Sequence, residues 1–549
     1  MHERLGTLPA DHDIIVVGGG INGAGVARDA ALRGYRVALV EQADFGSGSS
    51  SRTSKLAHGG IRYLEHGAFR LVWEASRERR RLLHLAPHLV RPLPFVFPVY
   101  RESRFGPAKL RAGMWLYDLL AAFRNIEPHR MLALRDSASW GNGVRTDGLR
   151  GAGLYWDAAM DDARLVLANV LGAREAGAEV LGRAQAKLRL EGGAVTGVEL
   201  ADLETGEHAT WSARLVVACT GPWSNSFLSH LPGAPQPLAT TRGSHILVRR
   251  LADRAFTLSA GRDGRVFFVL PWLGETLVGT TDLDDAGDPS RVAPSEDEID
   301  YLLSEANRFF PSARLDRGDV LAAFAGLRPL LRSTGDASAR SREHAFLEPA
   351  PRLLAIVGGK YTTYRAVAEA AVDLIASRLG CSGPCRTRRD PLPGGDLPWS
   401  PAEHWEEGPK FVSAARVLAT SISIDEHLAR RWWRTYGSDA PRIASLVAAD
   451  RDLATPLCPH HPHTRAEVLH AVRSELALHL EDWFLRRSHT AFTSCNGIDA
   501  IESVAAIFAT ELEWNDATRA AEIQECRDTL ERIADPHRTA HSRTSSNSP

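Results

Sequence analysis

Gly18, Gly20 and Gly23 stand in the spacing G-x-G-x-x-G, and Glu41 follows 23 residues after Gly18. In that spacing the first glycine permits a tight turn and the second lets a pyrophosphate approach the backbone. The third lets a helix pack closely on a strand. The pyrophosphate charge then meets the positive end of the helix that begins there. A carboxylate at the distance of Glu41 can accept hydrogen bonds from ribose hydroxyls. The chemistry implied is dinucleotide binding, with Ile21, Asn22 and Gln42 counted in the same site.

That chemistry needs a strand, a turn and a helix in order. Ile14–Val17 is a short β-branched run of the kind that forms a buried parallel strand. Gly18-Gly19-Gly20 follows at once, a helical stretch runs from Asn22 to Arg33 and closes at Gly34, and Val37–Val40 reads as the second strand. The motif alone does not separate FAD from NAD. Two later units favour FAD: a strand ending in Thr220-Gly221-Pro222-Trp223, and Leu353–Lys360, which ends in Gly358-Gly359 with a helix behind it. An isoalloxazine needs a helix N-terminus near its N1–C2=O locus, where charge develops on reduction, and the helix opening near Thr362 is the candidate.

Between these units the pattern predicts a helix over Leu71–Leu85 and a proline-punctuated strand pair over Leu93–Tyr100. It also predicts a helix over Asp162–Ala176, strands over Ala186–Leu200 and Ala209–Ala218, and a hairpin pairing Arg265–Leu270 with Thr276–Gly279. A Pro/Gly-rich linker spans Gly383–Pro401, beyond which a helical, tryptophan-containing pattern reads as a separate domain. The Ser/Thr-rich stretch Pro536–Pro549 is expected to be disordered.

The 549 residues are enough for two or three domains, and a formal net charge of -2 gives no bias toward nucleic acid. Six cysteines do not form a disulfide framework. Cys381 and Cys385 read as loop thiols, and Cys458 with His460, His461 and His463 as a solvated loop, so no metal is expected. The N-terminal residues lack the apolar core of a secretory signal, and no run of about 18 apolar residues occurs. The expected location is the cytoplasm, at the cytoplasmic face of the cell membrane.

In its longer motifs the chain resembles the FAD-dependent glycerol-3-phosphate dehydrogenases of the aerobic, quinone-linked type. GGGINGAGVARDAALRG, SSRTSKLAHGGIRYLEHG, DDARLVLAN, TGPW, GSHI, PWLGETLVGTTD, GLRPL and GGKYTTYR carry the resemblance, which continues through WWRTYGS and Trp483-Phe484-Leu485-Arg486-Arg487. The segments LAHGGIRYLE and GGKYTTYR separate this family from the wider glycine-oxidase-like flavoproteins. The fold implied is α/β, α+β overall. A Rossmann-like FAD-binding domain would comprise residues 11–86, 150–232 and 346–382, and an antiparallel-sheet substrate domain 87–149 and 233–345. A linker (383–401), a C-terminal α-helical domain (402–535) and a disordered tail (536–549) would follow. The resemblance also implies that Ser50, Ser51, Thr53, Ser54 and Lys55 wrap the cofactor, and that His58, Gly59 and Gly60 pass the flavin. Thr220, Gly221, Trp223, Gly359, Lys360 and Tyr361 join that site, with Thr362 and Thr363 at the flavin pyrimidine.

The reaction implied is oxidation of the C2 hydroxyl of sn-glycerol 3-phosphate. Arg62, Arg328, Lys360 and Arg342 lie in separate segments, and a phosphate dianion gains from several fixed cations where a carboxylate is served by one bidentate arginine. Their convergence is implied by the resemblance and not by spacing. His58 is the preferred general base, since a neutral imidazole accepts a proton near pH 7, and His245 is the alternative. Tyr63 is assigned to bond the substrate or shape its pocket. The competing readings are a glycerol-3-phosphate oxidase using O₂, an amino-acid oxidase of the same fold, and a non-catalytic flavin-binding subunit. Basic residues from Arg104 to Arg111 lead into Met114–Leu120, a pattern shared by interfacial and core helices. Expected partners are membrane quinone, an anionic membrane surface and a second copy of the chain.

Overall fold

The computed structural model describes residues 5–141, 143–231, 233, 236–332, 344–380, 383–397, 399 and 408–534. Arg342, Cys381 and the stretch Pro536–Pro549 lie outside them.

Asp11–Val17 is the centre of a parallel sheet, with Val37–Val40 and Glu179–Leu181 on one side and His208–Ala218 and Leu353–Gly358 on the other. Its residues alternate between two cores. Ile14 and Val16 face the helices Ile21–Leu32, Asp162–Glu175 and Tyr364–Leu379. Ile15 and Val17 face a layer built by the antiparallel pair Ala184–Glu191 and Ala194–Asp202 with Trp211. Cover on both faces explains why its second half, Ile14–Val17, is apolar throughout.

The second sheet is largely antiparallel. Leu238–Val248 pairs on one side with Val320–Leu331 and on the other with Glu275–Gly279, which leads through Val266–Trp272 and Ala255–Ser259 to Val90–Tyr100 and Leu149–Met160. The expected strand pair over Leu93–Tyr100 is one eleven-residue strand, Val90–Tyr100. Pro92, Pro94 and Pro98 share one parity, so their missing N–H groups fall along a single edge. Leu149–Met160 pairs along the full length of the strand, whereas Ala255 and Phe256 pair with only Phe95 and Val96.

The helices after residue 408 are less separate than their sequence suggests. Phe411, Trp432 and Trp433 form a cluster with Trp399. Trp483, Phe484, Val504 and Phe508 instead share a core with Phe95, Tyr155 and Leu277 of the antiparallel sheet, and Phe492 meets Phe324 edge to face and Trp272 at a tilt. The apolar residues after 480 are spent on the sheet.

Candidate active site

A cleft of about 430 Å³ runs between the two sheets, lined at one end by Gly18, Gly20 and Glu41 and at the other by His58, Lys360 and Thr362. At the first end Gly18 has φ +106°, and a Cβ there would lie 2.5 Å from the carbonyl oxygen of Cys219. A Cβ on Gly23 would lie 1.9 Å from the oxygen of Gly18, so this glycine serves helix-on-strand packing and does not face the cleft. Ile21 N–H donates to Ser50 Oγ at 3.0 Å, and Asn22 Nδ2 faces Gly358 O at 3.5 Å. Glu41 accepts from the backbone N–H of Gly19 at 2.6 Å and of Ala43 at 2.9 Å, which fixes its carboxylate at the rim with Gln42 beside it. A helix N-terminus opened by glycines and a fixed acid fit the adenosine diphosphate half of a dinucleotide.

The serine-rich loop behaves in two ways. Ser50, Thr53 and Ser54 line the cleft, as do Ser47, Gly48, Ser49 and Arg52, which the sequence did not single out. Ser51, Lys55 and Thr363 do not line it. Lys55 is turned inward: its Nζ pairs with Asp162 at 2.7 Å, donates to Ser51 O at 2.6 Å and sits 5.1 Å from the centroid of the Trp272 ring. Its assignment to the cofactor is therefore corrected, because the cation is spent on a fully buried carboxylate. Asp162 also accepts from Thr53 Oγ1 at 2.7 Å, so it anchors the loop. Gly59 and Gly60 shape the turn behind the cleft: a Cβ on Gly59 would lie 2.2 Å from Tyr117 Oη, and Gly60 has φ +80°.

At the far end the structure draws together residues some 300 positions apart. Lys360 Nζ lies 3.5 Å from the centroid of the Tyr63 ring, Arg62 Cζ lies 5.0 Å from the same centroid, and Arg62 Nη2 donates to Tyr63 Oη at 3.1 Å. The His58 ring stacks 6.4 Å from that of Tyr63, and His58 N–H donates to Thr362 Oγ1 at 3.2 Å. Arg328 reaches the same cleft from the second sheet, already paired with Asp282 at 2.9 Å and bonded to Thr280 Oγ1 at 2.9 Å. His245 is 2% exposed, stacks 5.0 Å from Phe324 and has its Nε2 2.9 Å from Ser54 Oγ. Burial, with Arg328 and Lys55 nearby, holds its imidazole neutral, far below the usual histidine range. Thr220, Gly221, Trp223, Gly359 and Tyr361 also line the cleft, where the helix Tyr364–Leu379 begins after the turn Tyr361–Thr363.

Sequence reasoning missed the segment Ala184–Leu188, Phe268 and Gly326–Leu327, all lining the cleft. Ala184–Leu188 and Phe268 belong to no motif and Gly326–Leu327 open the GLRPL segment, and only the tertiary pairing of the strands brings them there.

Residues 13–374 match the model of the FAD dependent oxidoreductase family, and residues 385–519 match the C-terminal domain of alpha-glycerophosphate oxidase. The chain is 36% identical to a glycerol-3-phosphate dehydrogenase of Synechocystis sp., over 96% of this chain and 98% of that one. It is 37% identical to the aerobic glycerol-3-phosphate dehydrogenase of Escherichia coli, over 87% and 93% respectively. The chain belongs to the FAD-dependent glycerol-3-phosphate dehydrogenase family. A solved structure of the glycerol-3-phosphate dehydrogenase from Bacillus halodurans, complexed with FAD, superimposes with a TM-score of 0.79 at 28% identity, covering 96% of both chains. The cofactor of this dehydrogenase is FAD, and the cleft is lined from Gly18 and Glu41 to His58 and Thr362.

Proposed function

We propose that this dehydrogenase oxidises the C2 hydroxyl of sn-glycerol 3-phosphate to the ketone of dihydroxyacetone phosphate, with quinone as the electron acceptor. When bound, the flavin supplies the hydride acceptor. The observation that carries the substrate reading is the placement of Lys360 and Arg62 about the Tyr63 ring, with Arg328 lining the same cleft. Several fixed cations lining one cleft suit a phosphate dianion better than an amino-acid carboxylate. In this reading Arg62, Lys360 and Arg328 bind phosphate, Tyr63 orders the first two, and His58 takes the hydroxyl proton. Buried and neutral, His245 shapes the wall beside Ser54.

The test is anaerobic mixing of the FAD-loaded protein with sn-glycerol 3-phosphate and, separately, with D- and L-amino acids. Only the first should bleach the yellow flavin. Bleaching by an amino acid alone overturns the assignment. Admitting a quinone analogue or air to the reduced protein then separates dehydrogenase from oxidase.

Quinone as acceptor calls for contact with a bilayer. No helix among the described residues is long and apolar enough to cross one. Two helices that pack on each other, Phe69–Leu85 and Pro107–Leu120, carry large apolar side chains into solvent: Phe69, Trp73, Trp115 and Leu119, with Phe123 just beyond. Phe123 meets Trp115 edge to face at 6.2 Å, and Arg77 lies 5.1 Å from the Trp73 ring centroid. Exposed aromatics among basic side chains support peripheral docking on an anionic surface.

A further inference from the structure

Four charged side chains of the C-terminal helices end on the loops that flank the glycine turn. Asp44, three positions past Glu41, is buried and pairs with both Arg486 and Arg487. Arg487 Nη2 donates to Asp44 Oδ1 at 3.0 Å and to the backbone oxygen of Glu475 at 2.7 Å. On the neighbouring loop Arg183 pairs with Asp482 at 2.6 Å. Its backbone N–H donates to Ala43 O at 3.2 Å, and that of Ala184 to Glu41 O at 2.9 Å. Ala184 opens the strand that lines the cleft as far as Leu188. The fourth, His479, bridges Glu204 of that side at 2.9 Å and Glu522 of its own at 2.7 Å.

The local geometry explains how consecutive arginines reach one carboxylate. Neighbouring side chains on an α-helix diverge by about 100°. Here Trp483–Arg487 forms a π turn, closed by the Ser488 N–H on Trp483 O at 2.9 Å. Its wider repeat narrows that divergence. Asp44 in turn shapes the cofactor loop. Its carbonyl accepts from Ser47 N–H at 3.1 Å, and Gly46 N–H donates to Gly19 O at 3.0 Å. Phe45 packs so tightly that a Cβ on Gly19 would lie 2.6 Å from its ring.

We infer that Asp44, Arg486 and Arg487 are positioning residues for the adenosine end of FAD, through which the C-terminal helices hold the loop from Glu41 to Ser47 against the glycine turn. The inference rests on placing the adenosine diphosphate half of FAD at that turn. Both ideas are tested with apoprotein of the full chain, titrated with FAD and with ADP as a competitor carrying only the adenosine diphosphate half. ADP competing with FAD in the parent protein supports the placement, and its failure to compete overturns the placement. Arg487→Lys keeps the charge but loses the planar fork. A second variant joining Asp44→Asn with Arg487→Gln removes both charges, and the buried Arg486 keeps Asp482 as its counter-charge at 2.8 Å. Each should weaken ADP and FAD by at least about tenfold, as the loss of one charge-assisted hydrogen bond implies. The KM for sn-glycerol 3-phosphate at saturating FAD should move by less than about twofold, since the substrate end is distant. ADP and FAD affinities within about threefold of the parent, in a variant with the parent's circular dichroism, overturn the clamp. So does a substrate KM that rises in step with the FAD dissociation constant, the mark of general loosening.

Discussion

Asp157 accepts the backbone N–H of Gly59 at 2.9 Å, so a buried carboxylate pins the turn that carries His58. The same oxygen accepts from Tyr117 Oη at 2.9 Å and pairs with Arg79, which is buried with it. Asp157→Ala removes the pin and leaves the guanidinium without its counter-charge. The expected loss is about 3–5 kcal/mol of stability, as for other broken buried pairs, measured by urea denaturation. A loss below about 1 kcal/mol would mean that Arg79 finds another partner and that the pin is dispensable.

His58 and His245 separate in their surroundings. His245 is held neutral by burial, with Arg328 and Lys55 near it, and its Nε2 meets Ser54. His58 lies on the Arg62–Tyr63 side of the cleft. His58→Ala should slow flavin reduction by about 10²–10⁴-fold in stopped flow, the range for loss of a general base. A rate within about threefold of the parent, with flavin still bound, removes His58 from that role.

Lys360 is predicted to bind phosphate. Lys360→Met should lower kcat/KM for sn-glycerol 3-phosphate by about 10–100-fold, the range for a charged hydrogen bond. The inhibition constant of inorganic phosphate should rise in parallel. If neither constant moves, the cation serves the Tyr63 ring alone.

The glycine turn was legible because everything that defines it is local: strand, turn, helix and acid fall between Ile14 and Glu41. Lys55 was misread because a polar run gives no direction, and Asp162, which captures it, lies 107 residues away. The three prolines of Val90–Tyr100 suggested a broken strand, and only the uneven pairing of its two edges shows how they are accommodated. The sequence showed Arg486-Arg487 as a basic pair but not its partner, for the same reason that it did not place Ala184–Leu188 in the cleft wall. Arg487 and Asp44 are 443 residues apart, and an ion pair leaves no periodicity in either segment.

His479 gives the chain a pH signature. Burial opposes its charge, but Glu204 and Glu522 outweigh that penalty and push the imidazole up to about 10. The folded state therefore keeps a proton that the unfolded chain sheds above its ordinary value near 6.5. The stabilisation is complete below that value and is lost as pH rises to about 10. His479→Gln should accordingly destabilise the protein at pH 6 and converge with the parent near pH 10 in urea unfolding. A difference independent of pH would show that the histidine acts by packing.

The exposed pair Trp73 and Trp115 offers a test of docking that leaves the cleft alone. Each large apolar side chain gains up to about 1.5–3 kcal/mol when it leaves water. Trp73→Ser combined with Trp115→Ser should therefore weaken binding to vesicles of anionic phospholipid by at least about tenfold, read by cosedimentation at low salt. Turnover with quinone dissolved in those vesicles should fall with binding, while anaerobic flavin reduction by substrate keeps its parent rate. Full retention of vesicle binding would place the docking surface elsewhere. Lost binding with undiminished quinone turnover would separate the acceptor from the membrane.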